Sequence, residues 1–437
     1  MVFALAQSLL DSAMNPLATL SSLGLYVVAI IFRLATDTAV VDTLLQLVMR
    51  SLEALTQSLS GAAMILRGIF TNETNSSSLD FILDHLSDLF TFLYDLFKPS
   101  NVVPRFPAVM TNNNGAGPTA SSNPYNELDL RLEPNRKAVV YQIQRTVATL
   151  ASILRVGKDV TGNRGIGDLK INASLRSDFD AQGRPPPATY TASLPPGGVP
   201  RPDEKWLFIN GIANEFVWFQ RSCDKIRDTF RRDVKGVYNR SDGILWDIVE
   251  CCGERSATSQ SPNTLIQRTQ SSGAAQDELL KELSHALRAA TGTPSGKVVM
   301  IAHSQGVLIL RLALQRLVAE NPKGTEFRRA MRERLWVFTF GSPSVDWRAI
   351  DGDVARPLGE FARATEHFAH RADFVGMLGV ATHQEDAASG YDDESVVFYS
   401  RGGRGHLFGA HYPLGVEAWE DGERSRLLAA IAGNDLI

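Results

Sequence analysis

The chain has 437 residues, a length that suits one large domain plus an extension, and its 44% hydrophobic content is enough for a sizeable core. A formal net charge of −4, with no basic block, RNP-like aromatic pattern or zinc-finger spacing, argues against a nucleic-acid partner. Three cysteines, Cys223, Cys251 and Cys252, make no disulfide framework and have no ligand residues at metal spacing, so buried reduced thiols are expected and no metal.

Residues 1–100 read as an apolar helical region. The opening "MVFALAQSLLDSAMNPLA" has no basic residue before its apolar stretch and is broken by Asp11, so an intracellular location is favoured over secretion. The sequons at Asn72, Asn75, Asn172 and Asn239 would matter only in a secreted chain. "LSSLGLYVVAIIF" ends at Arg33, short of the ~20 residues that cross a bilayer, which favours a buried or interfacial helix over a span. Val41, Leu44, Leu45, Val48, Leu52 and Leu55 follow the spacing of one buried helical face. The next helix starts before Leu79, carries Asp80, Asp84, Asp88 and Asp95, and stops at Pro99. A layer packed on the main domain is the first expectation for this region, and contact with a membrane surface the second; acidic faces argue against tight adhesion to anionic lipid.

Residues 101–204 read as linker-rich. Pro107 to Glu127 has linker composition, an amphipathic helix is expected around 136–158, and a proline-rich stretch then leads to Lys205.

From 205 to 437 the pattern becomes alternating strand and helix, the mark of a mostly parallel sheet flanked by helices. The strand-like runs are "KWLFING", "VKGVYN", "KVVMIAH", "RLWVFTFGS", "EHFAHRAD" and "ESVVFYS". In such a sheet the carboxyl ends of the strands share one rim, where loops from distant segments meet.

The run "KVVMIAHSQGVLIL" joins a strand to a helix through Ser304. Small residues two before and two after such a serine relieve the crowding of a tight strand-to-helix elbow, and Ala302 and Gly306 supply them. Ser304 is therefore the candidate nucleophile. An oxyanion would need the N–H of Gln305 and a second N–H from the Asn210-Gly211 turn after an earlier strand, from Gly211 or Ile212. Asp373, at the end of a strand-like run, is the preferred acid over Asp346 and over Asp351 and Asp353, which lie in an expected polar loop. For the base, "YSRGGRGHLFGAHY" offers His406, preferred for its place soon after the strand, and His411 as the alternative. His303 neighbours the serine with its side chain expected to point away, while His367 and His370 are expected to pack or support.

The stretch from about Lys205 to the C-terminus resembles the serine lipases and esterases of the α/β-hydrolase superfamily. "FTFGSPSVDW" followed by "HFAHRADFVGMLG" is similar to the class 3 lipases, and "FINGI", "GVYNRSDGILWDIVECCGER" and "GHLFGAHY" together are similar to fungal lipase-like proteins of unassigned substrate. The resemblance departs from the family's usual elbow at Ala302. It implies an α/β-hydrolase fold behind an N-terminal helical extension, and a Ser-Asp-His triad cleaving carboxylic esters, with lipid esters the leading class and no cofactor. It also supports His406 as the base. The apolar N-terminal helices and the segment "DGILWDIVECC" are then expected to line an acyl channel or form a lid, and residues 254–278 to be a surface insertion. The rival readings are a non-catalytic scaffold of the same fold, and an acyltransferase, thioesterase or peptidase using the same triad.

Overall fold

Period-two alternation in the apolar runs builds one sheet with a different core on each face. The computed structural model of the chain describes residues 178–241, 270–291, 296–386, 388–391 and 395–436, with 123–130, 132–142 and positions 84, 85, 88, 145, 243, 247 and 251. The expectations for residues 1–100 apart from positions 84, 85 and 88, for most of "DGILWDIVECC", for 254–269 and for the sequons at Asn72, Asn75 and Asn172 lie outside the described residues.

Seven strands form the sheet in the order β1-β3-β2-β4-β5-β8-β9: β1 (Thr189–Ala192), β2 (Glu204–Ile209), β3 (Val234–Val237), β4 (Lys297–His303), β5 (Leu335–Phe340), β8 (Ala364–Ala369) and β9 (Ser395–Tyr399). β1 runs antiparallel to β3, and every other neighbouring pair is parallel. The expectation of a mostly parallel α/β sheet with flanking helices therefore holds.

Helices α1 (Phe216–Phe230), α2 (Gln270–Thr291), α3 (Gln305–Glu320) and α4 (Glu326–Arg334) connect the strands. Leu207, Ile209, Val298, Met300, Leu335 and Val337 face one core with the apolar sides of α2 and α3. Their chain neighbours Trp206, Phe208, Val299, Ile301, Trp336 and Phe338 face the other, with α1 and the C-terminal segment. Full burial of each such side chain contributes roughly 1.5–3 kcal/mol.

Three elements depart from the sequence reading. β1, "TYTA", falls in the proline-rich stretch and becomes a strand only because β3 supplies a partner along its whole length. Residues 348–357, read as a polar loop around Asp351 and Asp353, form a hairpin of β6 (Arg348–Asp351) and β7 (Val354–Pro357). α2 starts at Gln270, inside the segment expected to be an insertion: Ser272, Ala275, Leu279 and Leu283 are buried at helical spacing, so packing on the sheet overrides the weak propensity of its Ser-Ser-Gly start. Cys223 is a buried free thiol, and Cys251 is buried as well. Among the described residues no helix is long and apolar enough to cross a membrane.

Candidate active site

Ser304 sits between β4 and α3 with φ 57° and ψ −129°, a conformation that is costly for a residue with a Cβ. Neighbouring bonds hold it there. Its N–H donates to Phe340 O at 2.9 Å, and its carbonyl accepts the Val307 N–H at 2.9 Å. A Cβ on Gly306 would lie 2.7 Å from Asn210 O, so only glycine lets the start of α3 pass under the end of β2. Ala302 is fully buried in the core on the α2–α3 side, where its methyl group is accommodated.

Three segments converge on the serine hydroxyl. His406 Nε2 lies 2.7 Å from Ser304 Oγ, and His406 Nδ1 lies 2.7 Å from Asp373 Oδ2. Asp373 follows β8, caps a one-turn helix (Phe374–Met377) and accepts the Val375 N–H at 3.0 Å on its other oxygen. Tyr412 donates its hydroxyl to Asp373 Oδ2 at 2.5 Å. Burial alone would raise the Asp373 carboxyl, but the imidazole of His406 and the bonds from His406 and Tyr412 outweigh it and hold the group below its ordinary value. Asp373 thus stays an acceptor, which leaves Nδ1 of His406 as donor and Nε2 free to accept the serine proton. In this arrangement a hydroxyl can lose its proton to the imidazole as it attacks an electrophile.

The alternative base is placed elsewhere. His411 Nδ1 accepts the Leu407 N–H at 3.0 Å, and the His411 carbonyl lies 3.0 Å from His370 Nε2. Burial pulls His411 down to about 4, with His370 and His406 adding to the effect, so it is neutral and serves as a brace inside the loop. The competing acids are also engaged elsewhere: Asp346 lies 3.3 Å from Arg311, and Asp351 accepts from Arg328 at 2.6 Å. Asp353 is an exposed residue of the hairpin turn.

His303 does more than point away. Its Nε2 is 2.7 Å from the His406 carbonyl and its ring centroid 4.7 Å from that of His406. Burial keeps it well below its ordinary pKa, so the neutral ring donates from Nε2 to that carbonyl. His370 holds Ser400 Oγ at 2.6 Å and stacks on Tyr412, with centroids 4.2 Å apart. His367, in β8, contacts Thr339 Oγ1 at 2.6 Å on the far face of the sheet.

The oxyanion candidates meet at the same point. A Cβ on Gly211 would be 2.3 Å from Ser304 Cβ and 2.9 Å from its Oγ, so this loop touches Ser304 and glycine is obligatory. Ile212 follows it, and among the described residues neither Gly211 nor Ile212 offers its N–H to another group. Gln305 opens α3, where the first backbone amides have no intrahelical acceptor. A network fixes the loop from behind. Asn210 Nδ2 donates to Gly211 O at 3.0 Å and to Asn239 O at 2.8 Å, and Asn239 N returns a bond to Asn210 Oδ1 at 2.9 Å. Asn239 Nδ2 then donates to Gln305 Oε1 at 2.7 Å. Asn239 is buried in this network, which leaves no room for a glycan at its sequon.

Sequence reasoning missed Tyr412, Asn239 and the bracing role of His303. Only the adjacency of Tyr412 to His411 and of Asn239 to the end of a strand-like run gave any signal. No cluster of His, Cys, Asp or Glu able to hold a metal occurs among the described residues. The chain matches no protein-family model, no curated protein and no solved structure.

Proposed function

We propose that the chain is a serine hydrolase of α/β-hydrolase type that cleaves carboxylic esters through an acyl-enzyme. The observation that carries this reading is the continuous relay Ser304 Oγ–His406 Nε2 and His406 Nδ1–Asp373 Oδ2, 2.7 Å at each link, with the serine in a strained elbow. Ser304 attacks the ester carbonyl while His406 takes its proton. The resulting imidazolium is stabilised by Asp373, and the oxyanion is held by the N–H of Gln305 and that of Gly211 or Ile212. The tetrahedral adduct collapses when His406 gives its proton to the leaving alcohol. Water, deprotonated by the same imidazole, then releases the acid and restores the serine.

Strain at Ser304 supports this over a non-catalytic scaffold. A binding module has no use for a serine held at φ 57° against a buried His–Asp pair. Lipid esters are the substrate class we favour, on the apolar character of residues 1–100 and of "DGILWDIVECC". The test is labelling by a fluorophosphonate together with hydrolysis of p-nitrophenyl esters of increasing acyl length. Wild type labels and turns over, Ser304→Ala does neither, and longer acyl chains raise kcat/KM. Equal labelling of wild type and Ser304→Ala would refute the reading.

A further inference from the structure

The two loops that meet at Ser304 are also gripped from outside the sheet by residues upstream of β1. Glu127, 2% exposed, accepts the Gly409 N–H at 2.7 Å and the Ala410 N–H at 2.9 Å, one on each carboxylate oxygen. From α1, Lys225 Nζ donates to the carbonyls of Phe408, Gly409 and Tyr412 at 2.7, 3.1 and 2.6 Å. Asn123 Nδ2 adds a bond to Gly409 O at 2.9 Å. A Cβ on Gly409 would stand 2.1 Å from Tyr125 O, so the loop is shaped to receive this segment. The gripped stretch runs between His406 and Tyr412, which both bond to Asp373 Oδ2.

The same upstream segment continues as helix over 133–142 and reaches the other loop. Gln142 Nε2 donates to Glu215 Oε1 at 2.8 Å and to Ser241 Oγ at 3.0 Å, and Arg145 pairs with Glu215. Glu215 closes the loop that begins at Gly211. Ser241 donates to Asp247 Oδ2 at 2.5 Å, and that oxygen accepts the Ala213 N–H at 2.7 Å. The grip thus ends one residue beyond Ile212.

We propose that the segment from Asn123 to Arg145 is a positioning element of the active site, with Glu127 setting the histidine loop and Gln142 setting the oxyanion loop. The inference rests on the reading of Ser304, His406 and Asp373 as a triad. Buried ion pairs give little net stability over apolar residues of the same size, because desolvation offsets their attraction. Here the charged groups end on loop backbone, where an apolar side chain has nothing to hold, so what they contribute is one fixed loop conformation.

The test uses the full chain and three readouts: ester turnover, the rate of fluorophosphonate labelling, and the downfield NMR resonance of the His406 Nδ1 proton. A sub-ångström to ångström misplacement costs up to about a hundredfold in rate. Glu127→Gln is expected to lower kcat and labelling about ten- to a hundredfold and to shift or broaden the His406 resonance, with KM little changed. Gln142→Leu is expected to lower kcat by a similar factor and leave that resonance in place. If Glu127→Gln does not fold, Glu127→Asp, which keeps the charge but draws the carboxylate back from the Gly409 and Ala410 N–H groups, is expected to give the same kinetic and spectroscopic loss. Folded variants with wild-type labelling rates and an unmoved resonance overturn the inference while the triad stands. A wild type that never labels, or labelling that survives Ser304→Ala, overturns the triad reading instead.

Discussion

Tyr412 donates its hydroxyl to Oδ2 of Asp373 at 2.5 Å, the same oxygen that lies 2.7 Å from His406 Nδ1. Two donors on one buried oxygen keep the carboxylate charged and fix its direction towards the imidazole. A hydrogen bond to a charged group contributes about 1.5–3 kcal/mol. Tyr412→Phe is therefore expected to lower kcat about tenfold or more with KM little changed, since the bond supports the imidazolium formed in the transition state. Steady-state kinetics on a p-nitrophenyl ester check this, and an unchanged kcat would remove Tyr412 from the mechanism.

Gly211 faces Ser304 so closely that an added methyl carbon would sit 2.3 Å from Ser304 Cβ. The strained serine is anchored through Phe340 and Val307, so the Gly211 loop is the part that must move. Gly211→Ala is expected to abolish most turnover, by about a hundredfold or more, while the protein still folds. Substrate turnover and circular dichroism read the two effects separately. Turnover within a few fold of wild type would mean that the loop is not part of the site.

The parallel core strands were legible because each is a run of apolar residues, from "KVVMIAH" to "RLWVFTF", buried on both faces. β1 was not, since four residues of mixed character become a strand only when β3 is beside them. The site was legible where the chemistry is local. The crowding at Ser304 needs small neighbours in sequence, and the order Ser, Asp, His can be read from one end to the other. The choice between His406 and His411 was legible only in part: the place of His406 soon after the strand favoured it, but both lie in one glycine-rich loop and the direction of each ring separates them. Asn239, Glu127 and Lys225 were invisible for a related reason. Their partners lie at Gln305, at Gly409 and Ala410, and at Phe408, far along the chain, and no spacing rule links them.

Asn239 ties the Asn210-Gly211 loop to Gln305, the two sides of the proposed oxyanion pocket, receiving and giving bonds with Asn210 and donating to Gln305 Oε1 at 2.7 Å. Asn239→Ala cuts the link to Gln305 but keeps the backbone bonds to Asn210. The expected result is a fall in kcat of about ten- to a hundredfold, smaller than for loss of an oxyanion donor itself, with a stability loss of about 1–3 kcal/mol. Kinetics and urea denaturation on the same preparation test it. A loss of stability with full activity would make Asn239 a purely structural residue.

Burial holds four histidines, three buried and His411 half-buried, below the ordinary 6.5: His367 at about 3, His411 at about 4, and His303 and His370 lowered as well. As pH falls below 6.5 the unfolded chain takes up protons that these folded rings refuse. At these sites the folded state then binds fewer protons, so their contribution to stability falls with pH through this window, by about 1.4 kcal/mol for each unit of pKa difference fully traversed, while the carboxyls of Glu127, Glu215 and Glu366, raised by burial, act in the opposite sense. The His411 contribution is lost between about 6.5 and 4, and that of His367 continues to about 3. Asp373 adds to the acid loss below its ordinary 3.8, because its carboxyl is held lower when folded. In His411→Asn, the amide oxygen can still accept the Leu407 N–H that His411 Nδ1 accepts at 3.0 Å, and one titration is gone. Melting midpoints are expected to fall steadily from about pH 7 to pH 4.5 in wild type and less steeply in His411→Asn. Identical slopes for the two proteins would show that the His411 ring is not held neutral by burial.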